Sequence, residues 1–180
     1  KCDLCGQSKI LMYAPESPHK VYCYQCWWSD KWNPLDYGRD YDFSRAFFDQ
    51  LRELLLSVPL PARSAQRFVN SDYCDHAADL RNSYLCFNGT GAENSAYLVN
   101  FFAIKESFDL YESRQDELCY NNLQVDESYR TAYSFDCESC NDVWFSKDLT
   151  GCTNCFGCVN LRNKSYHIFN KPYSKEEYAE

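Results

Sequence analysis

The feature that most constrains this chain is that it repeats itself. Asn82 to Phe101 reads NSYLCFNGTGAENSAYLVNF: a polar-Ser dipeptide, a few aromatic and aliphatic residues, a polar run, and then the same again. Ser71, Ser83, Ser95 and Ser107 stand twelve apart, and the beat then loosens and returns at Ser128, Ser139 and Ser165. Such periodicity fixes architecture before any single residue does. Each unit holds a short run of β-favouring residues followed by turn chemistry, which is a strand and a bend. No unit can bury its apolar side alone, so the units must stack into a solenoid. The predicted fold is therefore mainly β, with about nine strand-turn units of 10–13 residues over 70–172.

The aromatics Tyr73, Tyr84, Tyr97, Phe108, Tyr120, Trp144, Phe156 and Tyr166 recur at the strand positions. A coil of twelve residues has too narrow an interior to hold them, so the reading places two units in each coil, facing one another. Like strands of successive coils would then lie ~4.8 Å apart. The recurrent Ser is expected at a corner or in an inward stack, bonded to neighbouring backbone groups. An antiparallel meander is the competing fold. It would show repeated Asn-Gly or Asp-Gly turns, and only Asn88-Gly89 fits.

Ahead of the repeats stands a different pattern. Cys2-x2-Cys5 is followed by seventeen residues and then Cys23-x2-Cys26. Two such turns, brought together, place four sulfurs around one ion, and this spacing is that of a four-cysteine zinc site. Four protein ligands close the coordination sphere, so the site would be structural. Gly6 follows the first turn, where a positive φ is wanted. KILMYAPESPHKVYCY reads as strand, turn, strand, so residues 1–42 form a zinc ribbon with an aromatic linker. Two disulfides in a secreted domain are the competing reading.

The linker carries Trp27, Trp28, Trp32, Tyr37 and Tyr41 among Asp30, Asp36, Asp40 and Asp42. It reads as packed aromatic rings, with a recognition surface as the alternative. Phe47, Phe48, Leu51, Leu54, Leu55 and Val58 then fall at helical spacing. They predict an amphipathic helix from about 44 to 57, within a segment 43–62, capped by Asp42 or Ser44 and stopped by Pro59 and Pro61. Its apolar stripe reads as a core contact, with a partner-binding face as the alternative. The closing SKEEYAE, in 173–180, fits a capping box from Ser174 to Glu177 and reads as the start of a longer helix. With Lys1 in place of an initiator Met, the chain reads as a piece of a longer one.

Twelve cysteines are present in all. Cys137-x2-Cys140 and Cys152-x2-Cys155-x2-Cys158 resemble a second four-thiolate site. Its ligands would be Cys137, Cys140, Cys152 and Cys155, with Cys158 as an alternate. The same residues equally suit buried core positions, a common role for the free thiol. Cys74 and Cys86 share a unit position and read as core, and Cys119 and Cys140 read as a stack in adjacent coils. One zinc ion is expected, with a second if the later cysteines converge.

Net charge is −8, and no basic cluster appears. Phosphate recognition normally demands a basic face, so nucleic acid is disfavoured, and no apolar run approaches the ~18 residues of a membrane span. Thiolate–metal chemistry belongs to reducing compartments, which points to the cytoplasm or an assembly built there. No catalytic residue is assigned. His19, His76 and His167 lie in unrelated contexts, and no nucleophile motif accompanies them. Carboxylates are plentiful enough for glycoside chemistry, which keeps a carbohydrate-binding or carbohydrate-cleaving solenoid as an alternative.

Two stretches, YCYQCWWSDKWNPLDYGRDYDFSRAFFDQL and CTNCFGCVNLRNKSYHIFNKPYSKEEY, resemble an uncharacterised family of zinc-ribbon, Cys-rich repeat proteins of uncultivated bacteria and large phages. The resemblance extends over the whole chain and implies no activity and no catalytic residues. The functional expectation is a zinc-binding, non-catalytic scaffold that engages a protein partner or itself, in a larger assembly or a virion. A nucleic-acid-associated zinc ribbon and a glycan-binding solenoid are the alternatives.

Overall fold

The computed structural model describes all residues, Lys1–Glu180. The chain divides into two compact units, Lys1–Ser64 and Ala65–Glu180. The repeat region thus begins at Ala65, five residues before the boundary read from the sequence.

In the first unit, β1 (Val21–Tyr22) leads into the one-turn helix α1 (Tyr24–Trp27), and α2 (Phe47–Ser57) leads into β2 (Leu60–Pro61). The predicted hairpin before Cys23 does not form. Instead β1 pairs in parallel with β2, Val21 opposite Leu60 and Tyr22 opposite Pro61, so the ribbon's partner strand comes from beyond the helix. Met12 N–H donates to Ala62 O at 2.9 Å, which ties the intervening stretch to the same strand. Helix α2 starts three residues later than predicted. The Asp42 carboxylate takes the Ser44 N–H and hydroxyl at 2.8 and 2.6 Å, closing a local turn ahead of the helix rather than capping it. No residue of α2 is buried, and Phe47 and Phe48 are 54% and 78% exposed. Of the predicted core stripe, Phe47, Phe48 and Leu55 are exposed, while Leu51, Leu54 and Val58 are half-buried.

The second unit is a β-solenoid of about nine turns. Its strands are β3 (Ala65–Val69), β4 (Asp75–Arg81), β5 (Tyr84–Glu93), β6 (Ala96–Lys105), β7 (Phe108–Arg114), β8 (Tyr120–Asp126), β9 (Phe135–Glu138), β10 (Asn141–Trp144), β11 (Lys147–Thr150), β12 (Thr153–Phe156), β13 (Ser165–Ile168) and β14 (Lys171–Pro172). Every parallel register steps by twelve, as in Ala77↔Gly89, Gly89↔Phe101, Leu123↔Phe135 and Cys155↔His167. One unit therefore closes one coil, and the predicted pairing of two units per coil is corrected.

The reason is a shorter period inside the twelve. From Ser71 to Cys158 nearly every third residue is buried, and the residue before it holds a positive φ, as at Asn82, Leu85, Asn94, Tyr97, Asn121 and Tyr133. Each triplet has an inward residue, an outward one, and a left-handed bend, and four triplets close a coil. The aromatics thought to need interior room lie outward or at bends, so they place no demand on the interior. It is filled by Ser, Cys, Ala, Val, Leu and Ile. Phe101 is the one fully buried ring. It fits because Gly89 lies beneath it: a Cβ there would come within 2.6 Å of the Phe101 ring and 2.3 Å of its carbonyl oxygen.

The bend also explains why the interior is polar. The outward residue donates its N–H forward (Tyr84 to Ser95 O, 3.1 Å) and the bend residue donates backward (Asn94 to Arg81 O, 3.0 Å). The inward residue's N–H faces the interior, where burial without an acceptor is costly. The inward side chain one coil earlier accepts it: Ser71 from Ser83, Cys74 from Cys86, Ser107 from Cys119, Ser146 from Cys158, at 3.0–3.3 Å. The same side chains donate onward to carbonyls, as Ser83 Oγ does to Arg81 O and Ala92 O.

At the carboxyl end β13 turns back into β14 as an antiparallel pair. Helix α3 (Lys175–Ala179) follows, with Ser174 and Glu177 forming the predicted capping box. No helix is long and apolar enough to cross a membrane.

Candidate functional site

The amino-terminal cysteines come together as their spacing requires. The first turn is closed by Gly6 N–H to Cys2 O at 2.9 Å, with Gly6 at φ +72°. The second is one turn of α1, closed by Trp27 N–H to Cys23 O at 2.8 Å. Asp3 clamps them: its N–H donates to Val21 O at 2.9 Å, and its carboxylate accepts the Val21 N–H at 2.6 Å. As a result the sulfurs of Cys2, Cys5, Cys23 and Cys26 all lie within 4.8 Å of one another. Cys5 Sγ and Cys23 Sγ are 3.9 Å apart. Metal–sulfur bonds of ~2.3 Å in a tetrahedron put sulfurs about 3.8 Å apart, so four free thiols here fit one metal ion.

The electrostatics favour thiolate on one side of the cluster. Burial pushes the Cys2 thiol up, but N–H groups of Cys23, Cys5 and Leu4 and the Cys5 thiol outweigh it and bring its pKa to about 6. Cys26 is pushed up to about 12 by burial and by the three neighbouring thiols. A cation at the centre would relieve that crowding of like groups. Around the cluster, Trp32 packs at a tilt against Trp27 with centroids 4.8 Å apart and meets Tyr22 edge-on at 5.4 Å, and its indole N–H donates to Trp27 O. The packed reading of the linker holds for Trp27 and Trp32, while Trp28 is 68% exposed.

Cys137, Cys140, Cys152, Cys155 and Cys158 are placed otherwise. They are free thiols, 0–2% exposed, on inward positions of the solenoid, with Val143, Ser146 and Leu149 on the inward positions between Cys140 and Cys152. Each donates to backbone carbonyls, for example Cys140 to Glu138 O and Leu149 O, and Cys158 to Phe156 O and His167 O. The shared hydrogen bond raises the Cys137 thiol and lowers that of Cys140. Burial raises Cys155 to about 12. They belong to the apolar cluster around Val125, Val143 and Leu149, which is the core alternative read from the sequence. Cys74 and Cys86 are buried in the core as expected, and they also stack, joined by the Cys86 N–H to Cys74 Sγ bond. Cys119 and Cys140 do not stack: they are 21 residues apart, twelve plus nine, and so lie on different sides of the coil.

The outer faces differ. One carries two runs of rings: Tyr84–Tyr97, and then Tyr120–Tyr133, Tyr133–Phe145, Phe145–Phe156 and Phe156–Phe169, with centroids 4.9–6.3 Å apart. These side chains remain 39–75% exposed, together with Trp144. Sequence reasoning found the rings but sent them inward; the missed signal was that the every-third-residue set contains one ring between Ser71 and Cys158. Elsewhere a groove of about 750 Å³ is lined by Glu112, Asp126, Asp136, Glu138 and Asp148, with Arg114 among them. His76 Nδ1 lies 2.5 Å from Asp75 Oδ2, and Asp79 pairs with Arg67.

No family model matches the chain, and no curated protein is similar to it. Among solved structures it is similar to a point mutant of perosamine N-acetyltransferase from Caulobacter crescentus in complex with CoA and GDP-perosamine. The two are 11% identical with a TM-score of 0.13, and the match covers 67% of this chain and 57% of that one. A likeness of that size carries neither fold nor activity across.

Proposed function

We propose that the protein is a zinc-binding, non-catalytic scaffold whose solenoid presents its ring-bearing face to a protein partner or to another copy of itself. The observation that carries this reading is the run of exposed rings from Tyr120 to Phe169. An exposed apolar patch that long is a mark of interaction surfaces, and Tyr, Trp and Phe are the residues enriched there. Four thiols in tetrahedral reach of one another support a structural metal, and an all-sulfur set suits a soft tetrahedral ion, zinc or iron, of which this reading takes zinc. A net charge of −8 speaks against nucleic acid as the partner.

Two measurements test this. Native mass spectrometry under reducing conditions should find one zinc per chain with the solenoid thiols unmodified. Sedimentation velocity should show self-association, or a stoichiometric complex with the co-purified partner, that is lost in the triple variant Tyr120→Ser, Tyr133→Ser, Phe145→Ser. A protein that is monomeric and partnerless over micromolar concentrations, or whose association survives the triple variant, refutes the role of this face. Retention of a soluble glycan by the wild type and not by the triple variant would transfer the face to the carbohydrate reading.

A further inference from the structure

The interior of the solenoid is not one apolar core but two. One cluster runs from Cys74 to Cys119 and the other from Val125 to Cys158. At their junction the inward positions turn polar: Ser113, Asp116, Asn122, Ser128, Thr131 and Ser134, all 0–4% exposed. Asp116 is the only ionisable carboxyl in this belt.

Each inward polar position asks two things of its side chain. It must accept the N–H twelve residues on, and it must donate to a carbonyl. Asn122 does both, taking the Ser134 N–H at 3.0 Å and giving its amide hydrogen to Thr131 O, nine residues on, at 2.7 Å. Ser107 does both as well, accepting from Cys119 and donating to Lys105 O. Asp116 meets the first demand, with Oδ1 accepting the Ser128 N–H at 2.9 Å. Its Oδ2 is buried outside the hydrogen-bonding geometry of any donor, the neighbouring Ser113 hydroxyl included, and that hydroxyl is likewise unpaired although close enough to favour the charged carboxylate. An ionised carboxylate has no hydrogen to give there, whereas a protonated one completes the pattern set by Asn122.

We propose that Asp116 is held as the neutral acid, that its proton is a structural hydrogen of the polar belt, and that losing it loosens the solenoid between its two apolar halves. The surroundings agree. Burial, opposed by the Ser128 N–H, reinforced by the charge of Asp126 on β8 and opposed by Ser113, pushes the carboxyl up to about 8. None of these groups is cationic. Cys119, the next inward residue, is raised to about 12 by burial and by Asp116. From β6 the inward neighbour is Ile104, while Lys105, Arg114 and Glu117 stand exposed on the outside.

The sign of the effect follows from the raised pKa. An unfolded Asp ionises near pH ~3.9, while the folded one keeps its proton to about 8. The folded state therefore binds the extra proton between those limits, and stability falls as pH rises through the window, by at most about tenfold in the folding constant per pH unit.

The test compares the full-length, metal-loaded wild type with Asp116→Asn and Asp116→Ser by denaturant midpoints from pH 5 to 9. The carboxyl ¹³C shift of Asp116 is followed in the wild type over the same range. The expected result is a wild type that weakens relative to Asp116→Asn by up to about tenfold per pH unit until about pH 8, with the ¹³C shift titrating near there. A carboxyl already ionised at pH 5 to 6, or a difference between wild type and Asp116→Asn that does not move with pH, overturns the proposal. Should neither variant fold, the carboxyl titration alone decides.

Discussion

The two halves of this molecule use the same two-residue cysteine spacing for opposite ends. In the amino-terminal unit, Cys2-x2-Cys5 and Cys23-x2-Cys26 are separate tight turns that Asp3 clamps together, so four sulfurs converge on one point. In the solenoid, Cys137-x2-Cys140 and Cys152-x2-Cys155-x2-Cys158 are spaced by three because every third side chain points inward. Both regions contain the same N–H to sulfur bond, Cys23 to Cys2 at 3.2 Å in one and Cys86 to Cys74 at 3.3 Å in the other. The difference is how many sulfurs share the space. Where four do, their protons compete and a cation can replace them. Where each thiol finds its own carbonyl, it serves as a small neutral residue that both donates and accepts. A Cys-x2-Cys motif is therefore a statement about local period, and only the wider chain path decides whether it becomes a metal ligand.

The largest effect that separates the two halves is metal removal. A structural zinc of the kind proposed would contribute on the order of 10 kcal/mol to a small domain, so a strong chelator, or Cys23→Ser, should unfold residues 1–64. Hydrogen exchange read by mass spectrometry should show protection lost there and kept over 65–172. Equal protection in both regions, with and without chelator, would break the comparison.

Next in size is the packing of the solenoid interior. Phe101→Ala should cost about 3–5 kcal/mol, since the ring is fully enclosed and cannot be replaced by collapse of a hydrogen-bonded coil. Gly89→Ala should cost about 1–3 kcal/mol through overpacking. The added methyl group meets the Phe101 carbonyl as well as its ring, so Phe101→Ala should rescue Gly89→Ala only in part. Denaturant midpoints of the single and double variants give the coupling, and full rescue would mean the carbonyl contact is absent.

The twelve-residue beat was legible because Ser recurs for a reason: the inward N–H needs an acceptor of fixed small size. The amino-terminal quartet was legible because two short cysteine turns with a fixed separation have few other uses. The triplet was harder to read, because its signature conformation is not confined to residues that prefer it. Asn82, Asn88 and Asn94 suit a left-handed bend, but Leu85, Tyr97, Tyr133 and Phe145 adopt it too. At those positions the parallel hydrogen bonds on both sides impose the conformation, and local propensity is overridden. The hairpin expected before Cys23 failed for a related reason, since the partner of β1 lies 39 residues further on at Leu60. Such a pairing leaves no local trace.

Smaller still is the contribution of the ring row to stability. Tyr133 stacks on Phe145 with centroids 4.9 Å apart and meets Tyr120 edge-on at 5.4 Å, yet it is 44% exposed. Tyr133→Ala should therefore cost about 1 kcal/mol, the worth of an aromatic pair, and shift the denaturation midpoint only slightly. A loss several times larger would make the row part of the fold's framework rather than a surface.

The smallest effect carries the comparison furthest. Cys155 donates to Thr153 O, two residues back, and to Lys164 O, nine residues on, at 3.6 and 3.9 Å. Ser83 makes the same two contacts with Arg81 O and Ala92 O at 3.0 and 3.2 Å. A hydroxyl is thus native to this position of the coil, and Cys155→Ser should change stability by under about 1 kcal/mol. The identical change at Cys23 would remove one of the four sulfurs that converge on the proposed metal site. If Cys155→Ser instead unfolds the solenoid, or strips a second zinc from the protein, the carboxyl-terminal cysteines act together after all, and the distinction between period and ligand set would fail where it was drawn.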